Sequence, residues 1–309
     1  LQPTVDLNNK KENTMLNRKS IERSLAKYVA YKDPEVLARL TAFGPMILKA
    51  ADLSKQMAVP VPTVSEEDYE AARESQLHLL SKYPVAINGD RFVGVAQELS
   101  HDLLKALSLE GELLDACEAV EWFQFATPEL LELAGRDPLA YFEKVEAMMA
   151  NDDIFEFFIL PVLGYTVRVF LDTPATAWSR DLANVSDDTS HHNRPVTCPV
   201  CASEGAIASV TETTANGNRK KLHCTCCGAS WIFERIRCTH CGNTAVSDFQ
   251  YLHDEEDDTH RLHVCKACGT ATPTVFAGEE LNFNADVEQI VMTGLELYYD
   301  ETLEEKKAE

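Results

Sequence analysis

Ten cysteines occur among the 309 residues, and nine of them lie between Cys198 and Cys268. Eight form Cys-x-x-Cys pairs: Cys198/Cys201, Cys224/Cys227, Cys238/Cys241 and Cys265/Cys268. Two such pairs on facing turns place four sulfurs at tetrahedral corners, which suits a divalent zinc or iron ion. About 22 residues separate Cys201 from Cys224 and about 23 separate Cys241 from Cys265, so the pairs read as two units of one design. The expected ligand sets are Cys198, Cys201, Cys224 and Cys227 (site one) and Cys238, Cys241, Cys265 and Cys268 (site two). The hairpin turns between the pairs favour this sequential closure over a cross-braced one. Spacing alone leaves zinc and iron both open.

Each knuckle needs a sharp turn after its second cysteine, where glycine escapes a Cβ penalty of roughly 1–2 kcal/mol. Gly228, Gly242 and Gly269 stand there, but the first knuckle has Ala202 and is expected to be less regular. Around the ligands, Arg235, Arg237 and Lys266 can offset thiolate charge or face a partner, and His223 and His240 can support the ligands. His263 lies in a similar place. Cys226, between Cys224 and Cys227, is a spare thiol, an alternative ligand or a half-buried bystander. His191 and His192 precede the first pair in a polar stretch and read as solvated rather than ligating.

The elements that carry these residues are β-ribbons. Ile207 to Thr213 and Lys220 to His223 flank Asn216-Gly217-Asn218, a turn that tolerates positive φ. Ser247 to His253 and His260 to Val264 flank an acidic tip from Asp254 to Asp258. Trp231 and Phe233 alternate with Ile232 between Ser230 and Arg237, which predicts a strand packing one unit on the other.

Upstream, from about Asn17 to Asp181, the periodicity is helical. Pro34, Pro128 and Pro138 each follow a capping residue, Asp33, Thr127 and Asp137. Ser65 with Asp68 resembles a capping box and starts a helix with Tyr69, Ala72, Leu77 and Leu80 along one side. Further helices are expected over 90–109, 110–126 and 152–171. Cys117 reads as a small core residue, and Trp122, Phe123 and Phe125 cannot all face one core. Between Asp172 and Pro195 the composition turns to that of connecting chain. Asn284 to Tyr299 resumes helical spacing, and the segment from Asp300 onward is charged and expected to fray.

Composition bounds the function. Lys and Arg number 28 against 50 Asp and Glu, a formal charge of −22. Even the segment from Pro195 to Val275 holds 7 basic and 9 acidic residues, so no nucleic-acid partner is expected. The longest apolar run, Phe157 to Leu171, contains Pro161 and Arg168 and is shorter than the roughly 20 residues of a spanning helix. No membrane association is expected. Lys10, Lys11, Arg18 and Lys19 are followed by no apolar stretch, so no export signal is expected and the reading is cytoplasmic.

The expected fold is α+β and multidomain: an N-terminal all-α helical domain, two small rubredoxin-like or zinc-ribbon β modules, and a C-terminal helix. The expected divisions are a tail over 1–16, the helical domain over 17–181, a linker over 182–196, ribbons over 197–236 and 237–276, and a closing helix with acidic tail over 277–309.

Several phrases around the cysteines resemble the formate dehydrogenase accessory (maturation) proteins of the FdhE family. They are Cys198-Pro199-Val200-Cys201, Leu222-His223-Cys224, Cys227-Gly228 followed by Trp231, and Arg235 and Arg237 before Cys238. Tyr251-Leu252, Cys268-Gly269-Thr270 and Asp286 in the closing helix continue the likeness, which covers roughly 197–296. The family usually has glycine where Ala202 stands. The resemblance implies a helical domain with two rubredoxin-type ribbons, iron as a ligand, and a cytoplasmic factor that binds the catalytic molybdopterin subunit of formate dehydrogenase. It implies an accessory protein, not an enzyme. A rubredoxin-like redox or electron-transfer protein acting on that client is the alternative, and a zinc-ribbon nucleic-acid binder is disfavoured. A homo-oligomer is compatible with the sequence.

Overall fold

The structure is a computed structural model that describes residues 15–57, 59–150, 152–183, 194–213, 217–278 and 283–308. The first 14 residues, His191, His192 and Asn216 lie outside the described residues. Helices fill the first part: α1 (Arg18–Lys27), α2 (Pro34–Gln56), α3 (Glu66–Arg73), α4 (Leu79–Lys82), α5 (Gly89–Leu107), α6 (Glu112–Glu118), α7 (Pro128–Arg136), α8 (Pro138–Met148) and α9 (Leu160–Ala183). The capping chemistry is as the sequence predicts. The side chains of Asp33, Ser65, Thr127 and Asp137 each accept a first-turn N–H of the helix they precede.

Three helices differ from expectation. The helix that Ser65 starts stops at Arg73, and Ser75 turns the chain with φ 60°. Leu79 and Leu80 begin α4 instead, because their N–H groups donate to Pro199 and Val200 carbonyls at 3.0 and 2.9 Å. Gly111, at φ 63°, delays α6, and Trp122–Phe125 forms a separate 3-10 turn. This turn buries Trp122 and Phe125 and leaves Phe123 64% exposed. Finally, α9 follows a π-helical turn, Phe155–Ile159, and runs through Pro174 to Ala183. It carries Asp172 and Trp178 into the interior, where composition alone predicts connecting chain.

The cysteine-rich segment forms β1 (Ile207–Thr213), β2 (Gly217–His223), β3 (Ser230–Phe233), β4 (Phe249–Leu252), β5 (His260–Cys265) and β6 (Ala271–Gly278). They make one sheet of six strands in the order β3-β2-β1-β6-β5-β4. The units are joined by parallel pairing of β1 with β6, Ala208 opposite Thr274, while every other pair is antiparallel. Thus β3 does not pack one unit on the other. It lies at the sheet edge against α9, with Ser230 N donating to Ser179 Oγ at 3.0 Å.

Period-2 alternation gives the sheet two apolar faces. Ala208, Leu222 and Trp231 enter the same core as the helices. Ile207, Leu262, Val264 and Val275 form a second core with Phe283 and with Ala285 and Met292 of α10 (Ala285–Ala308). This last helix packs on α1 and α2 as well as on β5 and β6. The start of the described chain is tied to the residue before this helix and to α9. Asn284 Nδ2 donates to the Met15 carbonyl at 3.1 Å, and Leu16 N donates to Asp172 Oδ1 at 3.2 Å. None of the described helices is long and apolar enough to cross a membrane.

Candidate metal centres

All eight paired cysteines gather as the two sequential groups, with the sulfurs of each group within 4.8 Å of one another. Cys198 and Cys227 sulfurs are 3.6 Å apart and those of Cys201 and Cys224 are 3.5 Å apart. In site two, Cys238 and Cys268 are 3.6 Å apart and Cys241 and Cys265 are 3.8 Å apart. Metal–sulfur bonds of about 2.3 Å in a regular tetrahedron separate sulfurs by about 3.8 Å. A disulfide would need about 2.0 Å. The donor set fits a tetrahedral ion that accepts thiolates, and iron and zinc both meet that description.

One backbone design repeats in all four knuckles. The residue after each second cysteine donates its N–H to the carbonyl of the first: Ala202 to Cys198 at 2.9 Å, Gly228 to Cys224 at 3.0 Å, Gly242 to Cys238 at 3.2 Å and Gly269 to Cys265 at 2.7 Å. Their φ angles are 70°, 90°, 72° and 76°. The first knuckle is therefore as regular as the rest, and Ala202 accepts the left-handed conformation with its Cβ in place. In site two the amides of His240 and Cys241 donate to the Cys238 sulfur at 3.4 Å. Such bonds stabilise a thiolate ligand.

The surroundings of the two sites differ. Cys198, Cys201, Cys224 and Cys227 are all buried, whereas Cys241 and Cys268 of site two are exposed. Site one is held by the helical body. Besides the α4 amides on Pro199 and Val200, Arg168 of α9 donates through Nη1 to the Cys224 and Thr225 carbonyls at 3.2 and 2.5 Å. Its Nε donates to Asp172 Oδ1 at 3.2 Å, and Nη2 stands 3.8 Å from Asp286 Oδ2 of α10. All three side chains are essentially inaccessible. Burial works against the Arg168 charge, but Asp286 and Asp172 outweigh it, so the guanidinium stays protonated. This cation beneath site one was not singled out from the sequence. Its signal was an Arg and an Asp four residues apart in an apolar run, a spacing that puts both on one helix side.

The other predicted neighbours fall in different places. His223 is buried, bonded to Ser209 Oγ at 2.8 Å and packed on Phe283, and burial lowers it to about 3, so its ring is neutral. Cys226 is half-buried, with its sulfur near Cys201 and Cys224 but outside the four-sulfur group. Arg235 and Lys266 are exposed. Arg237 is pinned, donating to the Arg194 carbonyl at 2.6 Å and lying over the Phe233 ring. His240 is exposed beside Glu204 at 3.1 Å. A cleft next to Cys238 is lined by Arg235, Ile236, Tyr251 and His263. Lys220, not anticipated, is buried in its wall, and burial lowers it to about 8.

No family model matches the chain. It is similar to a "Protein FdhE homolog" of Aquifex aeolicus, 24% identical over 151 residues, 49% of each chain. It is also similar to one of Proteus mirabilis, 28% identical over 126 residues, 40% of each. The similarity spans about half or less of these curated relatives. In fold it matches the crystal structure of the FdhE protein from Pseudomonas aeruginosa, with TM-score 0.52 and 17% identity over 98% of this chain and 94% of that one.

Proposed function

We propose, from its similarity in sequence and in fold to FdhE proteins, that the chain is a metal-binding accessory factor that binds the catalytic subunit of formate dehydrogenase. In this reading it acts in the cytoplasm, on the molybdopterin-containing subunit, before the enzyme is complete. The observation that carries the reading is that each set of four cysteines is closed on itself and mounted on one sheet docked to the helices. Such an arrangement offers a rigid surface. Around site two that surface carries exposed apolar side chains, Ile236 50%, Val246 68% and Tyr251 53% exposed. Aromatic and aliphatic anchors of this kind carry most of the energy of a protein interface.

The test is affinity capture of the tagged full chain from cells making formate dehydrogenase. The catalytic subunit should be recovered, and Ile236→Ala combined with Tyr251→Ala should lower recovery about tenfold with metal content unchanged. Repeated absence of the subunit, with normal enzyme in a deletion strain, would overturn the proposal. A second reading, redox action on the same client, is favoured by the exposure of the ligand residues Cys241 and Cys268. It requires that the iron-loaded protein bleach reversibly on reduction under anaerobic conditions.

A further inference from the structure

We infer that the two four-cysteine centres have divided roles: site one is a permanent keystone of the fold, and site two exchanges its ion with the surroundings. The inference rests on the reading that both groups hold metal. For an ion to leave, at least one sulfur must swing from its corner and a competing ligand must approach. The cost is therefore set by what holds the knuckles and by what covers the sulfurs.

In site one both are restrictive. The first knuckle is tied through the Pro199 and Val200 carbonyls to α4, and the second through the Cys224 and Thr225 carbonyls to Arg168. No slack exists at the second knuckle, where even a Cβ on Gly228 would come within 2.6 Å of Asp172 Oδ1 and 2.8 Å of Arg168 Nε. The four cysteines belong to the same apolar core as α2, α5 and α9. Opening site one means opening that core.

Site two is held mainly from within its own module. Asn243 Nδ2 donates to Asp248 Oδ2 at 2.8 Å and Lys266 N donates to the Asp248 carbonyl at 2.7 Å. The helix α10 adds one exposed contact, Tyr299 Oη to the Gly269 carbonyl at 2.9 Å. A Cβ on Gly269 would meet nothing within 4 Å. Each knuckle contributes one exposed cysteine, Cys241 from one and Cys268 from the other. A soft competing ligand can therefore reach the ion from solvent without disturbing the helices. In the exchange the ion passes to the competitor and the thiolates take up protons from water, with no change in oxidation state.

The experiment loads the full chain with two equivalents of zinc(II) and challenges it with excess chromogenic chelator, in the presence of iodoacetamide with mass-spectrometric mapping. One equivalent should leave about a hundredfold faster than the other. Carbamidomethyl groups should appear in that phase on Cys238, Cys241, Cys265 and Cys268, with Cys198, Cys201, Cys224 and Cys227 protected. The Cys268→Ser variant should lose the fast phase alone. Release of both ions in one phase, or early labelling of the site-one cysteines, would overturn the inference. A chain that takes up no zinc at the loading step overturns the metal reading beneath it, a result seen before any chelator is added.

Discussion

Ala202 sits at φ 70°, in a position that Gly228, Gly242 and Gly269 fill in the other knuckles. An L-residue there costs roughly 1–2 kcal/mol, partly repaid by the smaller entropy of its unfolded state. Ala202→Gly is expected to stabilise the protein by about 0.5–1 kcal/mol, read as a rise in urea midpoint with unchanged slope. The reverse change separates strain from crowding. Gly269→Ala should cost only the conformational penalty of ~1–2 kcal/mol, since nothing lies within reach of the new Cβ. Gly228→Ala should cost that plus a further ~1–3 kcal/mol of overpacking against Asp172 and Arg168. The left-handed turns were legible as glycines in the sequence. The crowding at Gly228 was not, because it depends on a helix that begins about 70 residues earlier.

At the scale of elements, α1, β5 and α10 meet at a buried carboxylate. Glu288 Oε1 accepts from Ser24 and Lys27, each at 3.1 Å, and Oε2 accepts from Tyr28 and pairs with His260 Nε2 at 3.1 Å. The other His260 nitrogen faces Asp257 Oδ2 at 2.6 Å. Burial opposes the His260 charge, yet Glu288 and Asp257 raise its pKa above the ordinary value. Stability from this imidazolium is therefore full below about pH 6.5 and is lost as pH rises through the raised folded value. Burial also disfavours the Glu288 and Asp257 charges. Bonds from His260, and for Asp257 chiefly from Thr259, nevertheless hold both below the carboxylate range. Their contribution is lost only on acidification through those lowered values. His260→Gln should flatten the fall in stability above about pH 6.5, measured by urea unfolding at each pH. Helix starts were readable here because a cap is a local event, as Asp33 and Thr127 show. The break after Arg73 was hidden, since Leu79 and Leu80 leave α3 to bind carbonyls more than a hundred residues away.

The whole molecule is organised around unequal couplings. The first module shares its core with the helices, whereas the second packs in a smaller core under α10, to which β1 adds Ile207. A structural metal supplies a large part of the folding free energy of the segment it closes. Cys198→Ser should therefore melt the helical circular-dichroism signal at a clearly lower temperature, with sheet and helix lost together. Cys268→Ser should leave the main helical transition near that of the parent. The sequence made the two sulfur frames and the helical half legible, because ligand spacing and apolar period are written in neighbouring residues. The join between the modules was not legible. A parallel pairing of β1 with β6 spans more than sixty residues and follows no turn signal.

The meeting of Asn284 with Met15 has a consequence for how the chain is made. On a ribosome, α1 and α2 are synthesised first but lack their covering helix until α10 has left the exit tunnel. About 80 residues separate Cys227 from the end of that helix, roughly 4–16 s of translation at ~5–20 residues per second. During that interval the four sulfurs of the first module are already on the nascent chain, without the α10 carboxylate Asp286 that faces Arg168 beneath them. The supply of free metal while the chain is still being translated thus bears on how many copies reach the closed form.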